Sequence, residues 1–529
     1  MVAAAELAAA GWSVTLLERS ERIGGFIASG ERTLPGYVHD TFSSWHPLFV
    51  TGGAYAALGA DLHRHGLRYA NTDGRLTASV ADDGRVTVAH RDPVHTAEGF
   101  ADPGDARTYL AHLDHFSRSA SAVGGLLGGE LRSVSALGPL LGLLRANGRR
   151  GTEGWVRDAV TSGRSFTARE FSGPEVDHLW TPWLLHAGLS PDHASGGLML
   201  PVFAATLHGA GLPVVVGGAG RFVDAFGALL RERGVVVRTG ADVRRITVRD
   251  GSADAVELAD GTRLGARRAV LASVTSTALY GDLLAPAAVA PALRHQASRF
   301  RYGRAAMQVH VALAEPLHWK DSRLDEVPLV HLSDGSASTG IACAEADAGL
   351  LPRHPTVAVG QQSLLDPSRA PRGAATLWLQ LQELPGTPVG DAAGELDTRD
   401  GWTADLARAY ADRVLTRLSR HVGGLRENVL GIDVLSPADL ERANVNAVGG
   451  DPYGGSAQLD QNFAWRPLAG SGRHRTPVDR LWHLGASTHP GPGLGGGSGH
   501  LVAAEVQALE RRRARARTAW AVLRRVGGR

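Results

Sequence analysis

Cysteine is almost absent. Cys343 is the single cysteine in 529 residues, which excludes an intrachain disulfide, a C-x-x-C redox pair and a thiolate metal site. Any redox chemistry must then come from a bound organic cofactor. Lysine is equally scarce: of 55 basic residues, only Lys320 is a lysine. Neither sign of charge dominates, since the formal net charge is +2 at pH 7, and that balance gives no electrostatic reason to expect a nucleic-acid partner. No run of about 18 uncharged apolar residues occurs, the length a spanning helix needs. No secretory leader opens the chain, so the expectation is a cytoplasmic protein, peripheral at a membrane at most. The 22 histidines are scattered, with no H-E-x-x-H and no carboxylate cluster beside them, so no metal site is expected.

What is present begins at the first residue. Ala3 to Ala10 is a run of strong helix formers, Gly11 stops it, and Ser13 to Leu17 is a short strand that ends on Glu18. An acidic residue closing such a strand can accept both ribose hydroxyls of an adenosine. The following "RSERIGG" sets the cation Arg22 beside the small backbone of Gly24 and Gly25, a combination suited to a pyrophosphate. In dinucleotide-binding units a strand and a G-x-G-x-x-G loop precede this helix, about 20 residues before the acid. Counting back from Glu18 reaches or passes Met1, so the expectation is that this strand and loop lie upstream of the first residue.

"VTLLERSERIGGFIASGE" followed by "LPGYVHDTFSSWHPLF" resembles the phytoene desaturase-like flavoprotein family, near the branch of pyridine nucleotide-disulfide oxidoreductase domain-containing protein two. The family's G-A-G-x-N-G loop directly precedes the V-A-A-x-L helix, consistent with a loop missing from this chain. Far downstream, "LWHLGASTHPGPGLGGGSGHLVAAEV" reads as strand, turn and helix, with seven glycines between Gly485 and Gly499, more than a turn requires. In the family this stretch closes over the flavin and its ribityl chain. The resemblance therefore implies FAD as cofactor, with Gly485, Ala486, Thr488, His489, Gly491 and Gly493 among its contacts and the backbone near Val243 against the adenine. It also implies that "HDTFSSWHPLF" runs beside the isoalloxazine, which puts Asp40, Ser44, Trp45 and His46 near the reacting face. His46 is the candidate for proton transfer, with orientation or packing as its alternative.

The implied fold is α/β. A Rossmann-like FAD domain is assembled from residues 1–95, 206–285 and 441–515, and an α+β substrate domain from a mainly helical insertion, 96–205, and a mixed-sheet portion, 286–440. A basic tail, 516–529, follows. "ELADGTRL" carries an Asp260-Gly261 hairpin signal, and "AAMQVHVALAE" and "ATLWLQLQELP" are strand candidates. One segment invites a second dinucleotide site: "LPVVVGGAGRFVDAFGALLRERGVVVR" has an apolar run, a G-x-G and a helix. Its next strand ends on Arg238 instead of an acid and no third glycine opens the helix, so no NAD(P) site is expected there.

The function implied is oxidation, desaturation or isomerisation of a lipophilic, conjugated small molecule. Flavin amine oxidases share the broad fold and are the alternative enzyme class, although that group often holds a water on a lysine near the flavin and Lys320 sits at a strand end. A truncated, non-catalytic partner-binding protein is the alternative from another class. The leucine-rich "LGPLLGLLRANGRRG" is either a core helix or a shallow membrane-facing surface with Arg145, Arg149 and Arg150 near anionic headgroups. Electron acceptor and oligomeric state are not legible.

Overall fold

The structure, a computed structural model, describes residues 1–526, with side chains as far as Arg515. Its first unit is built from three distant stretches of chain. The alanine-rich helix Val2–Ala9 buries Ala3, Ala4, Ala5 and Leu7 and stops where Gly11 turns to φ +81°, a value costly for any residue with a Cβ. The strand Thr15–Leu17 that follows pairs in parallel with Val236–Arg238, and Val270–Ala272 pairs in parallel with Leu481–His483. Helix Gly497–Val526 returns over the first helix, and Ala3, Leu7, Trp482, Val502 and Val506 form one buried cluster between them. At about 1.5–3 kcal/mol per large apolar side chain removed from water, that cluster ties the two ends of the chain together. The tail expected at 516–529 continues this helix to Val526; its last three residues lie outside those described.

The apparent second dinucleotide unit belongs to this same domain. Its first strand, Val214–Val215, pairs antiparallel with Tyr69–Ala70, whereas the strand after its helix, Val236–Arg238, lies parallel to Thr15–Leu17. A βαβ nucleotide unit needs both strands parallel in one sheet, and these two are in different sheets. The Asp260-Gly261 hairpin forms as expected: Ser252–Leu258 pairs with Arg263–Gly265, with Gly261 at φ +84°.

The second unit is a seven-stranded mixed sheet in the order Val429–Leu435, Ala305–Leu313, Ala375–Leu384, Val357–Gly360, Leu329–Leu332, Arg75–Val80, Val86–His90. Only Leu329–Leu332 with Arg75–Val80 is parallel. One face is apolar: Met307, Val309, Leu379, Leu381, Val330 and Val359 pack with Leu406, Tyr410 and Val414 of helix Ala404–Leu418. The two strands between 75 and 90 fall within the stretch that the resemblance implies for the first FAD segment, 1–95, so the chain crosses into the sheet soon after Ala70. The insertion is helical, led by Pro103–Leu127 and Leu137–Val160. Asp102 caps the first of these by accepting from the Gly104 amide, and Gly148 at φ +64° breaks the second.

Candidate active site

The adenosine end of the expected site is brought together. Glu18 closes its strand with its amide bonded to the Arg238 carbonyl, and its own carbonyl accepts from the Ala241 amide, which puts it within two residues of Val243. One carboxylate oxygen, Oε1, accepts from the Ser20 amide at 2.8 Å. The other has no hydrogen-bond donor among the described residues. The amino end of helix Val2–Ala9 lies near the Glu18 carboxylate. Arg22 is exposed and forms no ion pair among the described residues, and Gly24 and Gly25 take φ +113° and +58°.

The C-terminal turn closes on the same helix end. A Cβ at Gly496 would stand 2.9 Å from Val2 Cγ2 and one at Gly493 2.7 Å from Leu48 Cδ1; those side-chain ends can give way, but the φ of +64° and +108° favours glycine at both. Gly485, Gly491 and Gly493 hold φ of +101°, +104° and +108°. Ser498 Oγ accepts from the Gly485 amide at 3.0 Å and shares bonds with Thr488 Oγ1 at 2.8 Å and His474 Nε2 at 3.0 Å. His474 in turn meets Glu130 at 2.8 Å, so a residue of the helical insertion helps to shape the turn. Thr488 also donates to the Gly485 carbonyl at 2.8 Å, and the Ala486 carbonyl is taken by Arg466. Thr488 and Ala486 therefore hold the turn's shape with the polar groups expected to touch the ligand. His489 shares a 3.3 Å contact with the Leu126 carbonyl, and burial lowers its pKa to about 4.

The flavin-face candidates divide. Asp40 and Ser44 are buried in a polar lattice: Asp40 takes Arg369 Nη1 at 2.6 Å, the Ala219 amide at 2.6 Å and Ser44 Oγ at 2.5 Å. Arg369 also donates to Asp366 at 3.1 Å and to the Val215 carbonyl at 2.7 Å. These bonds, with Gln362 Nε2 donating to Ser44 Oγ at 3.0 Å, fix the segment at 40–46 against the turn at 217–219. His46 is fully buried, shares a 2.9 Å bond with Tyr69 OH and packs edge-on against Phe222. Burial holds its pKa down to about 3, so the imidazole is neutral, and its buried Nε2 has no hydrogen-bond partner. Trp45 differs: it is half-buried, its Nε1 has no partner, and it packs against the cluster that contains Trp183 and Trp378.

Two buried arginines were not singled out from the sequence. Arg466 is 0% exposed, and its guanidinium donates to the carbonyls of Tyr453 at 2.7 Å, Ser456 at 3.3 Å and Ala486 at 2.7 Å. Burial draws its pKa down to about 10. Asp451 supports the same loop by accepting from the amides of Gly303, Tyr453 and Gly455. Arg369 is the other. Both lie in stretches, "DPSRAP" and "VGGDPYGGSAQLDQNFAWRPL", whose loop composition drew attention, but nothing local tells a buried arginine from an exposed one.

The donor set fits FAD: an open carboxylate oxygen at a strand end, a helix amino terminus, an unpaired cation and a turn whose backbone only glycine can adopt. Lys320 is exposed at a strand end with its amide on the His421 carbonyl. The chain matches the flavin containing amine oxidoreductase family over residues 1–489. It is 25% identical to pyridine nucleotide-disulfide oxidoreductase domain-containing protein 2 of Mus musculus, covering 95% of this chain and 90% of that one. With the 4,4'-diapolycopene oxygenase of Methylomonas sp it shares 24% identity over 93% and 92%. Among solved structures, an oxidoreductase from Methanosarcina mazei superposes with a TM-score of 0.60 at 14% identity, covering 96% of this chain and 97% of that one. Putrescine oxidase bound to putrescine does so with 0.60 at 16%, covering 96% of each; at these identities the likeness shows the fold. The chain belongs to the flavin containing amine oxidoreductase family and is an FAD-dependent oxidoreductase of its phytoene desaturase-like branch.

Proposed function

We propose that this protein oxidises, desaturates or isomerises a lipophilic, conjugated small molecule, with Glu18 on the ribose, Arg22, Gly24 and Gly25 at the pyrophosphate, the backbone at Val243 on the adenine, and Gly485, Gly491 and Gly493 along the ribityl chain. When bound, FAD supplies the hydride or single-electron chemistry; the protein binds, orients and excludes water. The observation that carries the substrate reading is one apolar cluster that joins Trp45 of the 40–46 segment, Trp180 and Trp183 of the helical insertion and Trp378 of the sheet. Beside it, His186 and His331 are kept neutral, burial lowering the first to about 4 and the second well below its ordinary value. Indoles and neutral imidazoles suit a flat apolar molecule; an indole face also attracts an ammonium ion, which is why the test below sets a polyene against an amine. The names of relatives point the same way, among them a phytoene desaturase of Fusarium fujikuroi, 23% identical over 59% of this chain. The electron acceptor in this reading is not NAD(P)+, because the Arg238 segment is not a dinucleotide unit.

Delivery at a membrane surface belongs to the same reading. No helix among the described residues is long and apolar enough to cross a bilayer, but Leu137, Leu140, Leu141 and Leu144 are 36–55% exposed on one helix at the spacing of a single face. Arg145, Arg149 and Arg150 follow, and none forms an ion pair among the described residues. Such a face lies in a headgroup layer without spanning it. The test is anaerobic mixing of the flavin-loaded protein with a polyene in vesicles or with a primary amine. Bleaching of the flavin band by the polyene alone supports the proposal; bleaching by the amine alone defeats it.

A further inference from the structure

A polar side chain on the buried face of a sheet is costly unless something bonds it. The inner face of the seven-stranded sheet carries a row of such groups. Register sets Gln308 beside Gln380, Gln380 beside Ala358, Ala358 beside His331, and His331 beside Ser79. Gln308 and Ser79 are 0% exposed and His331 is 1%. Both amide atoms of Gln308, His331 Nδ1 and Ser79 Oγ have no hydrogen-bond partner. On the apolar face, the neighbours of these residues in the same strands are Val309, Leu379 and Val330.

The rest of the inner face is mixed. His310 meets the Asp40 carbonyl at 2.9 Å, and Gln382 donates to Tyr453 OH at 2.8 Å. Gln382 is thus bonded within the fold, whereas His310 Nδ1, like the groups of the row, has no hydrogen-bond partner and only the Asp433 carboxylate 3.4 Å away. From the cap, His186 shares a 3.0 Å bond with His331 Nε2 and stacks on Trp183, whose Nε1 is also without a partner. Four unpaired polar atoms aligned on three strands, with an unpaired indole N–H beside them, have the character of a binding surface.

We propose that this row binds neutral oxygen functions, carbonyls or hydroxyls, on the otherwise apolar substrate, one at the adjacent pair Gln308 and Gln380 and another at the adjacent pair His331 and Ser79. The inference rests on the lipophilic-substrate reading above and narrows it. No carboxylate or ammonium stands in the row, so a charged group would find no counter-ion there. An amide donates to a carbonyl and accepts from a hydroxyl with equal ease, whereas a pure hydrocarbon would leave the row unbonded.

The experiment uses β-carotene and canthaxanthin, which share a carbon skeleton and differ in two ring carbonyls, added in detergent to the flavin-loaded protein and followed by quenching of tryptophan fluorescence. In the Gln308→Leu/Gln380→Leu protein, canthaxanthin should bind about tenfold more weakly, the worth of one or two neutral hydrogen bonds, while β-carotene binds as before or more tightly. Equal changes for the two probes, or none, would overturn the inference and leave the lipophilic reading standing. If neither probe binds the parent protein, the lipophilic reading fails and takes the inference with it. Folding is checked on Gln308→Leu alone without any probe. Its melting temperature should hold or rise, because an unpaired buried amide is removed; a fall would mark Gln308 as a structural group and overturn the inference.

Discussion

Replacing Arg369 with methionine removes the cation of a buried triad that joins three parts of the chain. Its partners are Asp40 in the first FAD segment, Asp366 on the sheet side and the Val215 carbonyl in the second FAD segment. Side chains of Arg369, Asp40 and Asp366 are exposed by 3% or less, so solvent cannot replace the lost donors. Breaking a buried pair by deleting one member costs about 3–5 kcal/mol, most of it from the charges left behind. An unfolding entropy of about 2.1 cal/mol/K per residue gives roughly 1.1 kcal/mol/K for cooperative melting of the whole chain, so the expected fall in melting temperature is about 3–5 °C. Because Asp40 also receives the Ala219 amide and Ser44, the turn at 217–219 and the segment at 40–46 should loosen together, and FAD retention on gel filtration should fall with stability. Adding Asp40→Asn to Arg369→Met should restore part of the loss, since one stranded charge is gone. A single variant that melts within 1 °C of the parent would refute the reasoning, as would a double variant whose losses simply add.

Glu18→Ala should weaken FAD binding by about 1–3 kcal/mol, the cost of leaving the ribose hydroxyls without their acceptor; flavin absorbance retained at the parent level after gel filtration would remove Glu18 from the site. Burial raises Glu383 to about 7 from 4.5, so folding takes up a proton between those values and this group makes the protein less stable as pH rises from 4.5 to 7. Glu383→Gln should remove that contribution, of order 3 kcal/mol across the window, and urea midpoints at pH 5 and pH 7 would read the change in slope; an unaltered slope would show that Glu383 is ionised throughout. Leu140→Ser/Leu141→Ser/Leu144→Ser should weaken sedimentation with anionic vesicles by on the order of 100-fold, at about 1 kcal/mol for each half-immersed leucine. A parent protein that ignores such vesicles but dimerises through this face would reassign it.

The elements proposed to hold the adenosine and pyrophosphate are legible because their signals are local. A strand ending on Glu18, two glycines in unusual conformations and a glycine-dense turn each carry their meaning within about 15 residues. The flavin face was less legible because its groups act across the chain. Asp40 is committed to Arg369, 329 residues away, and His46 is buried by Tyr69 and Phe222, contacts that no window around "SSWHPLF" contains. The sheet was seen through two strands, Ala305–Leu313 and Ala375–Leu384, but Arg75–Val80 was assigned to the wrong unit because its partner Leu329–Leu332 lies some 250 residues on. The polar row follows from register, which depends on pairings between strands far apart in sequence.

The most direct measurement is the visible spectrum of the full-length protein, purified with its flavin, before and after anaerobic addition of a polyene in vesicles, with putrescine as the comparison. Loss of the flavin's visible band with the polyene, and no change with putrescine, is the expected result. A flavin that putrescine reduces and the polyene leaves oxidised would contradict the proposed function and reassign the site to an amine.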